Sequence, residues 1–288
     1  MTASADIAVV IPAYDSAPTL GATIASALAQ TLTPREVIVV DDGSQDDCAV
    51  IAQAAGARVV RRSNGGPGAA RNTGIAATSC SWIAFLDADD VFEPEKLARQ
   101  WERLVSTGGA ACCTDAWLWR EGAPLVRKNA SRQVPSRIEF ATLLTGNPIV
   151  CSSMLVRRDL LLASGCFDED RVLIATEDYD LWLRIAKQVA IEYLDQPLVR
   201  YRVGRHSLTS NERFLRGVDR IFAKLAIPQA PVRIATRIDW AYDLVAAGQR
   251  VQARGLLREA RALGGGGTRH WKLWLKSWLP KWVASRRS

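Results

Sequence analysis

Two carboxylates, Asp87 and Asp89, stand two residues apart directly after the apolar run at residues 82–86. Side chains i and i+2 of an extended chain lie on one side, so both could bind one divalent cation that holds the phosphates of a nucleotide. The alternative is structural, because Asp87, Asp89 and Asp90 could be loop and capping residues ahead of a helix that opens around residues 93–95. The spacing alone leaves both interpretations open.

The elements ahead of this pair predict an α/β fold. Apolar runs alternate with segments of helical periodicity, and four strand–helix units fit within about ninety residues, which is typical of a doubly wound, parallel sheet. The predicted strands cover residues 6–11, 36–40, 58–60 and 82–86, and the predicted helices cover residues 18–30, 45–55 and 69–77.

Polar residues follow three of these predicted strands. They are Pro-Ala-Tyr-Asp at 12–15, Asp-Asp-Gly-Ser at 41–44 and Asp-Ala-Asp at 87–89. Ligands of open α/β sheets bind beyond the carboxyl ends of the strands, so we expect the three segments to converge on one crevice. The first strand is followed neither by a phosphate-loop lysine pattern nor by Gly-x-Gly-x-x-Gly, which disfavours ATP hydrolysis and hydride transfer.

Five motifs, in order, carry a family resemblance: Val-Ile-Pro-Ala-Tyr, Val-Val-Asp-Asp-Gly-Ser, Gly-Pro-Gly-Ala-Ala-Arg-Asn, Phe-Leu-Asp-Ala-Asp-Asp and Thr-Glu-Asp-Tyr-Asp-Leu-Trp. Over about residues 5–205 the chain resembles glycosyltransferase family 2. The resemblance implies a glycosyltransferase A fold, in which a mixed, mainly parallel, doubly wound sheet binds a nucleotide. It also implies sugar transfer that mostly inverts the anomeric centre.

The resemblance also implies roles for residues that would bind the nucleotide sugar. Pro12 and Tyr14 would flank the base, and the Tyr14 ring would offer a stacking face. Asp42 would accept a hydrogen bond from the base while Asp41 orders the turn, although the sequence allows these two roles to be exchanged. Arg71, at the first turn of a predicted helix, would lie near the diphosphate; otherwise it is a surface arginine.

A metal site is implied by the same resemblance. Asp87 and Asp89 would hold Mn or Mg, with Asp89 as the direct ligand and Asp87 shared with the ribose or a metal-bound water. Relatives can carry a further metal-binding histidine shortly after Tyr-Arg, but Gly204 stands at that position here. His206 lies two residues further on, and whether it contributes to the metal site is left open.

The motif Thr-Glu-Asp-Tyr-Asp-Leu-Trp at 176–182 predicts the start of a helix, with Thr176 as its cap and acids in its first turn. The resemblance instead makes Asp178 the general base that takes the proton of the acceptor hydroxyl. An aspartate near a helix amino terminus stays ionised and is a weak base, so we expect Asp178 to act by position.

Four segments are expected along the chain. They are a nucleotide-sugar-binding half (1–108), an acceptor-binding half of the same domain (109–210), a helical appendage (211–263), and a glycine linker with a basic, tryptophan-rich tail (264–288). In the acceptor-binding half, residues 110–117 and 150–156 are predicted strands. The appendage should contain helices at 211–225, 231–246 and 251–263.

The composition predicts a cytoplasmic protein. Six cysteines occur in 288 residues without a Cys-x-x-Cys pair, which favours reduced thiols. The polar leader before the first strand does not predict a signal peptide, and no apolar run is as long as a membrane span. The net charge of +7 comes partly from the tail, whereas the site motifs are acidic, so nucleic acid is not an expected partner.

The tail predicts contact with the cytoplasmic face of the cell membrane. On a helix, Trp271, Trp274, Trp278 and Trp282 fall in one narrow wedge, and lysines and arginines surround them. Residues 268–288 could therefore lie in a bilayer interface as a peripheral anchor. The alternative is a helix packed on the catalytic domain through its tryptophans.

Together these features predict an inverting, metal-dependent glycosyltransferase that moves a single sugar from a nucleotide-diphosphate sugar, with UDP favoured. The expected acceptor is a hydroxyl of a lipid-linked or cell-surface glycan precursor. The Gln-x-x-Arg-Trp signature of processive synthases is absent. Gly204 motivates the alternative of a catalytically silent sugar-nucleotide-binding or membrane-associated scaffold protein.

Overall fold

The computed structural model describes residues 5–203 and 211–278. These residues form two units, the first from residues 5–143 and 147–203 and the second from residues 144–146 and 211–278. Gly204, His206 and Trp282 lie outside the described residues.

The first unit alternates strands and helices. Its strands are β1 (Ala5–Ala13), β2 (Pro34–Asp41), β3 (Arg58–Arg61), β4 (Trp82–Phe85), β5 (Val91–Phe92), β6 (Ala111–Trp119), β7 (Val126–Arg127), β8 (Arg137–Ile138), β9 (Leu155–Arg157) and β10 (Ile191–Arg202). Its helices are α1 (Ala17–Leu28), α2 (Cys48–Ala54), α3 (Pro67–Ala77), α4 (Lys96–Thr107), α5 (Phe140–Leu143), α6 (Arg158–Ala163) and α7 (Glu177–Ala186).

One mixed sheet joins these strands in the order β3-β2-β1-β4-β9-β6-β10-β5. The strands β3, β2, β1 and β4 run parallel to one another, and β6 is parallel to β10. Strand β9 is antiparallel to both β4 and β6. The mixed, mainly parallel α/β fold predicted from the sequence is therefore confirmed. Because β1, β2 and β4 are parallel, their carboxyl ends meet at one edge of the sheet.

The core strands are apolar because helices cover both faces of the sheet. Ile7–Ile11 of β1 is completely buried, as is the run Ile38–Val40 of β2. Helix α3 packs on β1 at Gly74, where an added Cβ would collide with the side chain of Val10. A glycine at this position thus lets α3, and the motif at its start, lie close to the sheet.

Three sequence predictions need local correction. Helix α2 begins at Cys48, because the Asp46 carboxylate accepts hydrogen bonds from the Cys48 and Ala17 backbone amides. Helix α3 begins at Pro67, which places Arg71 in the second turn. The predicted strand at 150–156 is a strand only from Leu155; residues 151–153 form a 3-10 turn stabilised by backbone and serine hydrogen bonds.

The second unit is helical. It contains α8 (Asn211–Lys224), α9 (Pro231–Ala246), α10 (Arg250–Ala262) and α11 (Thr268–Lys276). Apolar residues at helical spacing form its core, and Leu273 of α11 is buried there with Leu257 of α10 and Ala241 of α9. The C-terminal helical appendage is therefore present, and α11 shares its core. No helix in the described ranges is both long enough and apolar enough to span a membrane.

Candidate active site

The end of β1 supplies an aromatic surface. Tyr14 follows the strand and is 51% exposed, and Pro12 in the strand is half-buried. Asp15 has a positive φ of 45°, and its carboxylate accepts a hydrogen bond from the Gln45 backbone amide at 2.8 Å. Asp15 thus connects the loops after β1 and β2, while the Tyr14 ring stays accessible.

The two acids that follow β2 have different partners. Asp41 accepts a hydrogen bond from the Ser44 amide at 2.9 Å and so orders the turn, as expected from the sequence. Asp42 is buried, and its carboxylate accepts from Arg62 at 2.5 Å and from the amides of Gly65 and Gly66. The anion bound just ahead of α3 is therefore the protein's own Asp42, and its interaction with a base stays a prediction.

Arg71 links the loop after β4 to the first turn of α7. Its Nη2 donates to Asp87 at 2.6 Å and its Nη1 donates to Glu177 at 2.7 Å, while the guanidinium lies 5.3 Å from the Phe167 ring centroid. Burial lowers the pKa of Arg71, but the charge of Asp87, with that of Glu177, more than offsets this and holds it well above its usual value. Arg71 is 3% exposed and is thus a buried connector rather than a surface arginine.

The two candidate metal ligands differ in their surroundings. One Asp87 oxygen is bound by Arg71, whereas the Asp89 side chain is exposed. Loss of solvation and then the charge of Asp87 raise the pKa of Asp89. The repulsion between neighbouring carboxylates is the kind that a divalent cation relieves, and both ligands are the hard oxygens that Mg and Mn prefer.

Two carboxylates make an incomplete coordination sphere. Within residues 5–203 and 211–278 no cluster of three or more His, Cys, Asp or Glu side chains is arranged to hold a metal. A cation bound by Asp87 and Asp89 would therefore take further oxygens from a diphosphate and water, as Mg and Mn commonly do. The residues present fit a cation that binds together with a nucleotide.

The Asp87 loop is fixed by a buried relay. The Ser152 hydroxyl accepts a hydrogen bond from the Asp87 amide at 3.0 Å and donates to Asp90 at 2.6 Å. The other Asp90 oxygen accepts from the Arg202 amide at 2.9 Å, at the end of β10. Burial, followed by the charges of Asp87 and Asp89, raises the pKa of Asp90 well above its usual value. Asp90 thus holds the Asp87 loop in place through Ser152 and the end of β10.

Asp178 lies in the first turn of α7 with few partners. Among the described residues its carboxylate accepts a hydrogen bond only from the Tyr179 amide, at 2.7 Å. Burial, followed by the charge of Glu177, raises the pKa of Asp178 to about 7, and Arg71 opposes this rise. The sequence predicts a weak base near the helix amino terminus, whereas in the structure desolvation raises the pKa of Asp178.

Asp178 is thereby suited to proton transfer near neutral pH. A general base is most effective when its pKa lies near the working pH. The preceding Ala175 has a positive φ of 77°, which strains the backbone just ahead of α7. Arg71 spans from the Asp87 loop to Glu177, the neighbour of Asp178, so one guanidinium fixes the candidate metal site relative to the candidate base.

Several of these residues were not singled out by the sequence. Glu177 was assigned only a helix-end role, Ser152 was placed in a strand, and Arg62 received no role. Their partners are distant in the chain, since Arg71 and Glu177 are 106 residues apart. Whether the histidine at 206 lies near the candidate metal ligands concerns residues outside the described ranges.

Helix α11 presents aromatic side chains on one face. Trp271, Leu275 and Trp278 are 44%, 63% and 60% exposed, while Leu273 is buried and Trp274 is half-buried against the core of the second unit. Arginine guanidinium groups from α10 cover the two exposed rings. Arg261 lies 4.8 Å from the Trp271 centroid and Arg254 lies 4.2 Å from the Trp278 centroid.

Curated relatives of this chain are glycosyltransferases and glycan-biosynthesis proteins. ExoW, a succinoglycan biosynthesis protein of Rhizobium meliloti, is 31% identical over 69% of this chain and 66% of its own length. WfgD of Escherichia coli, named as a UDP-Glc:alpha-D-GlcNAc-diphosphoundecaprenol beta-1,3-glucosyltransferase, is 27% identical over 72% of this chain and 80% of its own. An uncharacterized glycosyltransferase of Rickettsia prowazekii, 29% identical over 68% of this chain, is matched over only 64% of its length.

Solved structures share the fold. TarS 1-349 of S. aureus in complex with UDP-GlcNAc has a TM-score of 0.64 at 18% identity, over 94% of this chain and 79% of that one. The mannosyltransferase PcManGT of Pyrobaculum calidifontis, in complex with GDP-Man and Mn2+, has a TM-score of 0.61 at 19% identity, over 94% and 79%. The fold is therefore the glycosyltransferase A type.

The model of the glycosyl transferase family 2 matches residues 8–163, which include the ends of β1, β2 and β4. These are the strand ends that carry Tyr14, Asp42 and the pair Asp87 and Asp89. Over half of the sequence is covered, in agreement with the fold and with the curated relatives. The chain belongs to glycosyl transferase family 2.

Proposed function

We propose that this protein transfers a single sugar from a nucleotide-diphosphate sugar to an acceptor hydroxyl and inverts the anomeric centre. The observation that carries the proposal is the double ion pair of Arg71 with Asp87 and Glu177. It connects the acids that would hold the donor's metal with the helix turn that bears Asp178. Donor and base are thereby held on one rigid frame, which is what a displacement reaction needs.

The donor would lie across the ends of β1 and β2. The exposed Tyr14 ring offers a stacking face for the base, Pro12 would flank the base, and Asp42 would accept a hydrogen bond from the base edge. Asp42 already has three donors, so this contact would use its remaining lone-pair capacity. The UDP-GlcNAc bound by TarS supports UDP as the first nucleotide to test.

Mn or Mg is the proposed cofactor. Asp87 and Asp89 would hold the cation, which supplies charge neutralisation to the diphosphate as it departs. The incomplete set of carboxylates and the raised pKa of Asp89 support a cation that arrives with the nucleotide. The Mn2+ bound together with GDP-Man in PcManGT supports the same class of ion.

Asp178 is the proposed general base. The acceptor hydroxyl oxygen attacks the anomeric carbon from the face opposite the diphosphate, and the Asp178 carboxylate takes the hydroxyl proton. The bond from the anomeric carbon to the diphosphate oxygen breaks, and its electron pair leaves with the nucleoside diphosphate. Because attack and departure occur on opposite faces, the configuration inverts.

The proposed acceptor is a lipid-linked or cell-surface glycan precursor, reached at a membrane surface. The exposed Trp271 and Leu275 of α11, with Trp278 two residues beyond its end, form an apolar ridge, and Arg254 and Arg261 lie over its tryptophan rings. Amphipathic helices with tryptophan and basic residues bind anionic bilayer interfaces. The diphosphoundecaprenol acceptor in the name of WfgD supports this class of acceptor.

The activity is tested with purified full-length protein and UDP, GDP and dTDP sugars, each with and without Mn. Thermal shift and slow donor hydrolysis are followed. We expect metal-dependent stabilisation by one nucleotide class together with slow release of the free sugar. Stabilisation without any hydrolysis or transfer would favour the silent binding protein, and no response from a folded sample would contradict donor binding altogether.

The membrane proposal is tested by sedimentation with vesicles. The double substitution Trp271→Ser and Trp278→Ser should abolish binding to phosphatidylglycerol vesicles, whereas Val105→Ser, at another exposed apolar side chain, should not change it. Point substitutions are preferable to deletion of residues 268–288, because Leu273 is part of the appendage core. Equal sedimentation of all variants would contradict an α11 membrane surface.

A further inference from the structure

A groove lies on the surface of the helical second unit. It is lined by residues of α8, α9 and α10, the three helices that share the core of this unit, and its volume is about 350 Å³. This volume falls within the range of small-molecule sites in proteins. The described residues assigned to the donor, the metal and the base all lie outside its lining. The groove is therefore separate from the candidate active site.

The floor of the groove is apolar and aromatic. Leu215 of α8 and Leu256 of α10 line the groove and are buried. Trp240 of α9 packs against the same core but is only half-buried, so part of this residue stays accessible in the groove. An indole offers a large, flat surface on which an apolar ligand face can stack. The floor thus suits a small ligand with one apolar face.

A glycine of α10 keeps one wall of the groove open. Gly255 lies inside the helix Arg250–Ala262, where glycine is less favourable than alanine. Packing does not require a glycine here, because a Cβ added at this position would meet no atom within 4 Å. The missing side chain instead leaves space in which a ligand can lie directly against the helix backbone.

The rim of the groove is polar, and its charges are already paired. Glu212 forms an ion pair with Arg216, and Glu259 accepts a hydrogen bond from Arg237 Nε at 3.0 Å. The exposed Gln252 side chain makes no hydrogen bond with any other described residue, so its amide can both donate and accept. The one arginine in the described lining is neutralised, and the rim offers no excess positive charge to a phosphate. A neutral ligand with hydroxyl groups fits this rim better than an anion.

A sugar ring has both properties that the groove requires. One face of a pyranose carries C–H groups, whereas its hydroxyls project around the edge. We propose that the groove binds a sugar residue of a neutral glycan, with its C–H face on Trp240 and its hydroxyls bonded to Gln252 and to the carboxylates of Glu212 and Glu259. Gly255 lets the ring approach the α10 backbone. Binding in the groove needs neither the donor nor the base, so it goes beyond the proposed transfer reaction.

Saturation-transfer NMR tests the proposal with the full-length protein, both free and saturated with UDP and Mn. The probes are glucose, galactose, mannose, N-acetylglucosamine and the β-linked disaccharides of glucose and N-acetylglucosamine. Sorbitol serves as the control probe, because it carries hydroxyls but has no ring face. UDP binding is measured in parallel by calorimetry, so the two sites are followed separately.

The main variant is Gly255→Met, whose side chain fills the groove from a position where an added Cβ meets no protein atom. Arg258→Met is its matched control, because Arg258 is an exposed residue of the same helix that does not line the groove. Gln252→Ala removes a rim amide, and Trp240→Ala removes the stacking surface. Since Trp240 also packs on the core, circular dichroism and thermal unfolding are recorded for every variant.

We expect the wild type to bind at least one of the sugars and not sorbitol, with or without UDP. Gly255→Met should remain folded and bind that sugar at least about tenfold more weakly, because its side chain occupies the space of the ligand. Gln252→Ala should weaken binding by about two- to tenfold, as expected for the loss of one hydrogen bond. Arg258→Met should equal the wild type, and UDP binding should be the same in all variants.

A wild type that binds none of the sugars would overturn the proposal. A folded Gly255→Met that binds the sugar as tightly as the wild type would also overturn it, because the sugar would then lie elsewhere. A wild type that binds sugar in the groove but never binds UDP would support this site and would count against the proposed transferase function alone.

Discussion

The donor side and the acceptor side of the candidate site differ in how their charges are satisfied. On the donor side, Asp42 accepts from Arg62 and two backbone amides, Arg71 is bound by two carboxylates, and Asp90 is bound by Ser152 and the Arg202 amide. On the acceptor side, the Asp178 carboxylate accepts a hydrogen bond, among the described residues, only from the backbone amide of Tyr179.

This difference suggests that the donor side is pre-organised, whereas the acceptor side recognises its ligand by completing missing interactions. A saturated network holds its side chains in one geometry, which suits a donor whose nucleotide diphosphate is the same in every cycle. Charges without partners are costly in the free protein, and a ligand that supplies the missing partner recovers that cost on binding. The acceptor side is therefore where this chain's substrate specificity should lie.

The largest effect should come from Asp178→Asn. Loss of the general base should lower turnover by about 10²–10⁴-fold, because positioned proton transfer contributes about that much. Donor affinity should remain, since the amide oxygen can still accept the Tyr179 hydrogen bond and Arg71 is untouched. Initial transfer rates and UDP calorimetry measure the two quantities. Normal transfer by this variant would remove Asp178 from its assigned role.

Ser152→Ala breaks the relay on the donor side. It leaves the Asp87 amide and one Asp90 oxygen without their buried partner, which costs about 1–3 kcal/mol of folding stability. The Asp87 loop should lose its fixed position, and we expect about tenfold weaker Mn-dependent donor binding. Chemical denaturation and donor calorimetry test this. Ser153→Ala provides the control, because the Ser153 hydroxyl bonds to Val150 instead.

If Ser153→Ala weakens donor binding as strongly as Ser152→Ala, the hydrogen bonds of Ser152 to Asp87 and Asp90 are not what positions the donor-binding loop. The donor side would then depend on the 3-10 turn of residues 151–153 as a whole.

The buried Asp178 carboxylate should also lower the free energy of unfolding, by an amount that depends on pH. Asp178 releases its proton near pH 4 in the unfolded chain but at about 7 in the folded protein, so the folded state binds more protons between these values. The free energy of unfolding contributed by this group therefore falls as pH rises from about 4 to about 7. Metal-free Asp178→Asn should be more stable than the wild type at pH 8 and closer to it at pH 4.5, by denaturant titration.

Lys96, in the nucleotide-sugar-binding half, is a charged side chain without a hydrogen-bond partner among the described residues. Its contribution to the free energy of unfolding should change with pH in the opposite direction to that of Asp178. The Lys96 side chain is fully buried, 4.0 Å from the Phe92 ring centroid, and burial lowers its pKa to about 7. The unfolded chain therefore binds more protons between about pH 7 and 10.5, so stability rises with pH across this window. Lys96→Met should raise the Tm by about 2–4 °C at pH 6. A gain that increases towards pH 10 would contradict this assignment.

Much of the fold was predictable because its signals are local. Apolar runs and glycine or aspartate turns define β1, β2 and β4, and the motif order gives the sheet edge that carries Tyr14 and Asp87. The 3-10 turn at 151–153 was missed because its serine hydroxyls redirect the backbone of an apolar segment away from the sheet ladder.

The sequence predicted the acidic residues of the candidate site, but it did not predict the side chains that bind them. Acidic motif residues such as Asp89 and Asp178 stand out in the sequence, but the Arg71–Glu177 pair spans 106 residues and has no local signature. The raised pKa of Asp178 depends on burial by the whole fold, so its basicity could not be inferred from its place in a helix.

The division between donor and acceptor sides is tested most directly by UDP calorimetry, with and without Mn, on the wild type, Asp89→Asn and Asp178→Asn. We predict that Asp89→Asn loses the Mn-dependent part of UDP binding. Asp178→Asn should keep it while turnover is lost. Mn-dependent binding that survives in Asp89→Asn, or that disappears in Asp178→Asn, would contradict the assignment of the metal to the donor side and of the base to the acceptor side.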